Sequence, residues 1–180
     1  MDFSELVKKR ESVRKYSSRI VEQDKIDMCI EAARLAPSAC NSQPWKIIVV
    51  DDIALKEKIA GLTYDNIVKF NKFVHTAPAI LVMVMERANL SSLIGTQLKN
   101  INYRLIDMGI AAEHICLQAA ELGLGTCMLG WFNQRKIKKL LNIPKSKKVP
   151  LLISIGYPEN SSTREKVRKS FEDIKSHLKY

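Results

Sequence analysis

The stretch ARLAPSACNSQPWKIIVV, Ala33–Val50, decides how this chain is read. A helical pattern stops before Pro37, because proline disfavours helical geometry in the residue preceding it. Eight residues follow (Pro37, Ser38, Ala39, Cys40, Asn41, Ser42, Gln43 and Pro44), and then an unbroken apolar run. A plain connection needs neither that length nor that neutrality. The composition suits a loop whose backbone lies close to something while offering uncharged hydrogen-bonding groups. The alternative is a turn in which Ser and Asn side chains cap their own backbone.

Working outward, Asp2 and Glu5 form a D-x-x-E capping box that opens a helix to about Arg10. SVRKYSSRIV is extended or irregular. A helix from about Glu22 to Leu35 turns Ile26, Cys29, Ile30 and Ala33 inward. Lys46–Val50 is a strand and Ala54–Leu62 a helix. PAILVMVMER, from Pro78, is a second strand, apolar on both faces and therefore central. The longest helix spans about Gln97 to Leu122. Its stretch DMGIAAEHICLQAA is apolar or small over most of its circumference, which predicts a subunit interface as well as a core. Gly123 and Gly125 end it. TCMLGW is extended, Gln134–Leu141 is a basic helix, and VPLLISIGYP is a strand. Strands and helices mix without strict alternation, which predicts an α+β fold. No repeat or linker interrupts residues 1–180, so they are read as one domain.

The totals exclude several classes. With 46% hydrophobic and 27% charged residues, the chain is composed as a soluble globular protein. No run approaches the roughly 18 apolar residues of a membrane span. A charged N-terminus without an apolar signal core predicts no secretion. Four cysteines without a CxxC pair predict reduced thiols in a cytoplasm. The net charge of +10 is concentrated in QRKIKKLLNIPKSKK, Gln134–Lys148, whose seven cations alternate with apolar residues as the solvated face of a helix does. No nucleic-acid-binding signature accompanies it. His75, His114 and His177 form no metal-ligand spacing with the cysteines.

Four segments carry groups suited to a planar, phosphate-bearing ligand. RESVRKY places Arg10, Ser12 and Arg14 within five residues, and in extended backbone Ser12 and Arg14 share a face. Guanidinium forks suit phosphate or a carbonyl-rich ring edge. The quoted loop adds Ser38, Asn41 and Gln43. ELGLGTCMLGW adds glycines that let backbone lie against a ligand, without the spacing of a dinucleotide fingerprint. TREKVRK adds Arg164, Lys166 and Arg168 as a late phosphate clamp.

In order along the chain, RESVRKY, APSACNSQPWKIIVV, GIAAEHICLQAAELGLGTCMLGWFN and ISIGYP resemble the nitroreductase family of FMN-dependent oxidoreductases, over roughly residues 4–178. P-S-x-x-N-x-Q-P-W is the most distinctive part. The resemblance implies a central, mostly antiparallel sheet flanked by helices, with the long helix at a homodimer interface and FMN shared across it. It implies that Arg10, Ser12 and Arg14 hold the phosphate, ribityl chain and pyrimidine edge. Pro37, Ser38 and Ala39 match the loop that the other subunit contributes, with Asn41 and Gln43 just beyond. Leu129 and Gly130 match the place where backbone amides face flavin N5. Arg168 is the better match for the C-terminal phosphate-binding cation, with Arg164 and Lys166 as alternates. Glu11 departs from the pattern, since a second basic residue is common there. The chain is also shorter than many members. The resemblance further implies NADH or NADPH as donor, and a flat small-molecule electrophile such as a nitroaromatic or quinone as acceptor, in ping-pong order. Specialised chemistry on the same fold, such as reductive dehalogenation or flavin breakdown, and flavin binding without turnover are the alternatives.

Overall fold

The computed structural model describes residues 1–65, 67, 69–87, 89, 100–160 and 164–180. Its centre is a four-stranded antiparallel sheet in the order β1-β2-β4-β3, formed by β1 (Trp45–Val50), β2 (Ala79–Met85), β3 (Gly125–Leu129) and β4 (Lys148–Gly156). All seven residues of β2 are apolar and buried, so it takes an interior place, as its two apolar faces predict. Alternation then sorts its side chains into two cores. Ala79, Leu81, Met83 and Met85 pack with Ile26, Cys29, Met108, Ala112 and Ile115, whereas Ile80, Val82 and Val84 pack with Ile59, Val74, Ile137 and Leu152.

The first core is closed by α2 (Gln23–Arg34) against α4 (Tyr103–Glu121), with α1 (Phe3–Lys9) beside α4. The second is closed by α3 (Ile53–Ala60), α5 (Gln134–Leu140) and a 3-10 turn over Lys72–Thr76. The capping box at the start of α1 forms as the sequence predicts: Glu5 N–H donates to Asp2 Oδ1 at 2.8 Å, and Asp2 N–H to Glu5 Oε2 at 3.1 Å. α5 buries Ile137 and turns its lysines outward.

Two expectations need correction. The longest helix starts at Tyr103, not near Gln97: Asn100 has φ 53°, a left-handed value that breaks helical propagation, and Ile101 and Asn102 are not helical. Gln97 to Lys99 lie outside the described residues. Ile101 and Leu105, whose three-to-four spacing with Met108, Ala112, Ile115 and Ala119 predicts a shared inward stripe, are instead half exposed, while the other four are buried. Among the described residues, no helix is long and apolar enough to cross a membrane.

Candidate functional site

Residues 12–14 run along the free edge of β3. Val13 N–H donates to Thr126 O at 2.9 Å, and Ser12 forms a parallel bridge with Thr126. The approach depends on Gly125, where a Cβ would lie 2.5 Å from Val13 Cγ2. With Val13 turned towards β3, alternation sends Ser12 and Arg14 to the other face. There they meet the C-terminal segment in a cleft of about 310 Å³. Its walls bring together Arg10, Ser12, Arg14, Arg164, Lys166 and Arg168, groups from the first and the last of the four segments singled out in the sequence.

Five cations against two carboxylates, Glu11 and Glu165, leave the cleft strongly positive. The partners of each cation differ. Arg10 Nε lies 3.4 Å from Glu113 Oε1. Arg164 is committed: its Nε is 3.0 Å from Glu11 Oε2 and its Nη2 donates to Ser12 O at 2.8 Å. Lys166 Nζ donates to Val7 O at 2.6 Å and Arg10 O at 2.5 Å, capping the end of α1. Arg168 donates to the neighbouring Val167 O at 2.7 Å, a bond within its own segment. Burial first, then the positive fields of Arg10 and Arg168, hold the Lys166 ammonium below its ordinary range. That repulsion is relieved by an anion. Beneath the cleft, burial pushes the Cys127 thiol up against the opposing pull of Arg14, Ser12 and Arg164.

β3 ends at Leu129, which is buried, and passes to Gly130, which is exposed with open space where a side chain would stand. Trp131 follows, half exposed, its carbonyl accepting from Asn71 Nδ2 at 3.2 Å.

The Pro37–Pro44 loop is not a wall of this cleft. Cys40, Asn41 and Gln43 all take left-handed φ values of 53°, 52° and 45°, which are unfavourable for residues bearing a Cβ. Internal bonds hold them: Gln43 N–H donates to Ser38 Oγ at 2.9 Å, Asn41 N–H to Ser38 O at 3.0 Å, and Gln43 Nε2 to Asn41 Oδ1 at 2.9 Å. The polar side chains therefore do cap their own loop, as the alternative reading of the sequence has it. Bonds from outside fix the loop, among them those of Asn89, whose N–H donates to Ser42 Oγ at 3.0 Å and whose Nδ2 donates to Cys40 O at 2.7 Å. Asp107 Oδ1, on α4, accepts from Ala39 N–H at 2.9 Å, and Pro44 O accepts from Glu86 N–H at 2.9 Å. Asp107 is buried, and its Oδ2 has no partner among the described residues.

Sequence reasoning missed Asp107, Glu113 and the pairing of Glu11 with Arg164. The signal for Asp107 was present, a lone acid on the inward face of an otherwise apolar helix. The other two pairings join residues far apart in the chain and leave no local pattern.

A model of the nitroreductase family matches residues 7–157. A Methanothermobacter thermautotrophicus protein provisionally named NADH dehydrogenase/NAD(P)H nitroreductase is 32% identical over 170 residues, which span 92% of this chain and 82% of that one. The crystal structure of a nitroreductase family protein from Clostridium novyi NT superposes with a TM-score of 0.77 at 34% identity, covering 92% of this chain and 89% of the other. Iodotyrosine deiodinase 1 of Rattus norvegicus is 28% identical over 196 aligned residues, spanning 96% of this chain and 68% of its own.

Proposed function

The chain belongs to the nitroreductase family and is an oxidoreductase, and from that premise we propose an FMN-dependent enzyme that takes electrons from NADH or NADPH and passes them to a flat electrophile, working as a homodimer. The observation that carries the reading is the cleft of Arg10, Ser12, Arg14 and Arg168, where burial first, and then the fields of Arg10 and Arg168, hold the Lys166 ammonium below its ordinary range. Such a donor set fits a phosphate-bearing, acceptor-rich ligand.

In this reading Arg10 and Arg168 bind the phosphate, the Ser12 hydroxyl meets the ribityl chain, and Arg14 faces the pyrimidine edge. Arg164 and Lys166 support them, one by fixing Ser12 through its carbonyl and the other by closing the end of α1. Bound FMN would supply hydride acceptance and delivery, which no side chain of the cleft provides. A guanidinium at the pyrimidine end favours negative charge there and raises the reduction potential. The backbone at Leu129 and Gly130 presents amides to the N5 side, and the open space at Gly130 lets a ring approach.

The Pro37–Pro44 loop, outside the cleft of its own chain, is assigned to the site of a second copy, with Pro37, Ser38, Ala39, Asn41 and Gln43 closing over the ring. Exposed apolar side chains on the helices around it favour association: Phe3 and Val7 on α1, Met28 on α2, Leu105 and Ile106 on α4. Four free cysteines, three of them buried, suit a reducing cytoplasm.

Nitroaromatics and quinones are the acceptors of the first reading. Reductive dehalogenation of an aromatic is the second, favoured by the likeness to iodotyrosine deiodinase over most of this chain. An anaerobic absorbance spectrum of the FMN-loaded protein tests both. Flavin bands that bleach with NADH or NADPH and return with a nitroaromatic or quinone support the first. Return only with a halogenated phenol supports the second. A protein that takes up no FMN overturns both.

A further inference from the structure

A second basic cleft, of about 280 Å³, lies where β2 ends and β4 begins, and the flavin assignment leaves it unused. Glu86, Arg87, Arg104, Ser146, Lys147 and Lys148 line it. Glu86 is ion-paired with Lys147. Arg87, Arg104 and Lys148 therefore stand without a carboxylate partner among the described residues.

The start of α4 adds to this charge. Arg104 is the second residue of a 19-residue helix whose N-cap, Asn102, makes no side-chain cap bond. Instead, Asn102 Oδ1 accepts from Arg104 Nε at 3.4 Å. The backbone N–H of Arg104 has no acceptor among the described residues. Tyr103 N–H is bonded to Ile101 O and Leu105 N–H to Asn102 O, so this end offers the Arg104 N–H together with the partial positive charge of the helix, which favours an anion. Three uncompensated cations and this helix end make an anion site from four independent elements of charge. Its volume exceeds that of a lone carboxylate and suits a phosphate carrying part of a nucleoside.

Its place in the fold identifies the source. Arg104 lies one turn before Asp107, which holds Ala39 N–H, and Glu86 donates its N–H to Pro44 O. The cleft thus shares both walls with the tethers of the Pro37–Pro44 loop. We propose that this cleft binds a phosphate of the nicotinamide donor: the 2′-phosphate of NADPH or the pyrophosphate that NADH and NADPH share. The assignment rests on the flavin reading above, in which the loop closes over the ring where the nicotinamide must stack.

The test is calorimetric titration of the FMN-loaded protein with 2′,5′-ADP and with ADP at low ionic strength, for the natural sequence and for Arg104→Gln and Lys148→Gln. Steady-state KM values for NADPH and NADH are measured beside it. The expected result is about tenfold weaker nucleotide binding in Arg104→Gln, as the loss of one charge-assisted bond implies, with a parallel rise in donor KM and an unchanged acceptor KM. A loss confined to 2′,5′-ADP and NADPH assigns the 2′-phosphate; equal losses for ADP and NADH assign the pyrophosphate. Unchanged dissociation constants in both variants, or no nucleotide binding by the natural sequence, overturn the proposal. Thermal unfolding of each variant controls for misfolding. A protein that rejects FMN yet binds 2′,5′-ADP through Arg104 refutes the flavin reading and keeps the anion site.

Discussion

At the scale of single residues, the cleft depends on a contact that has no room for one more carbon. Gly125 lets Val13 lie against β3, and Val13 in turn sets the direction of Ser12 and Arg14. Gly125→Ala places a Cβ 2.5 Å from Val13 Cγ2, so either the strand or the 10–14 segment must move. The expected cost is about 1–3 kcal/mol, read as a lower Tm, together with weaker FMN binding. Gly130→Ala, with nothing within 4 Å, leaves the Tm close to that of the natural sequence. Another residue-scale effect belongs to pH. The Tyr157 hydroxyl first, then backbone and Arg19 hydrogen bonds, hold the Glu22 carboxyl at about 2, against an ordinary 4.5. A carboxyl lowered on folding stabilises above its ordinary pKa and loses that contribution as pH falls towards the folded value. The Tm difference between the natural sequence and Glu22→Gln is therefore constant above about pH 5 and shrinks as pH falls from 4.5 towards 2. A difference that grows in that interval contradicts the assignment.

At the scale of elements, what the sequence made legible follows from periodicity. β2 reads as central because both alternating faces are apolar, α2 because its buried residues Ile26, Cys29 and Ala33 recur at helical spacing, and α5 because its cations leave one inward position, Ile137. The start of α4 did not, since a single left-handed residue, Asn100, interrupts an apolar pattern that itself continues through Ile101. In the C-terminal segment Val167, Phe171, Ile174 and Leu178 recur at three-to-four spacing, yet all are exposed. At the site, motif order exposed the cations of the cleft, whereas the carboxylates that orient them come from tertiary contacts and left no local signature. The loop is the clearest case. Its residue types were legible, but the tether that holds it, Asp107 to Ala39 N–H, joins positions 68 apart. Asp107→Ala leaves that N–H without its acceptor, at an expected cost of about 1–3 kcal/mol, and weakens FMN binding although no residue of the cleft has changed. Asp107→Asn keeps an acceptor oxygen and restores most of both. Equal effects of the two substitutions on FMN affinity would argue that charge at this position, and not the tether, matters.

At the scale of the whole molecule, one protomer holds half of what the proposed site needs. The cations converge within a chain, while the loop lines no part of their cleft and is tethered to a helix that leaves Leu105 and Ile106 about half exposed. Gly109 lies three and four residues beyond these two and so on the same face of α4, with open space where a side chain would stand. A lone protomer accommodates Gly109→Glu, and gains about 0.5–1 kcal/mol of helix propensity from losing glycine. A second copy packed on that face does not. Sedimentation is expected to find the natural sequence dimeric and Gly109→Glu shifted to monomer, with FMN binding lost alongside. A variant that stays dimeric and keeps FMN places the interface elsewhere.

The most direct measurement is complementation between two defective chains. One carries Arg10→Ala and Arg14→Ala and lacks the cleft; the other carries Ala39→Phe and lacks a usable loop. Each is purified and titrated with FMN alone, then the two are mixed, allowed to exchange subunits and titrated again. A site built from the cleft of one copy and the loop of another predicts flavin bound by the mixture and by neither parent, because each mixed dimer contains one intact site. Flavin bound tightly by the Ala39→Phe chain alone, or no binding by the exchanged mixture, would contradict it.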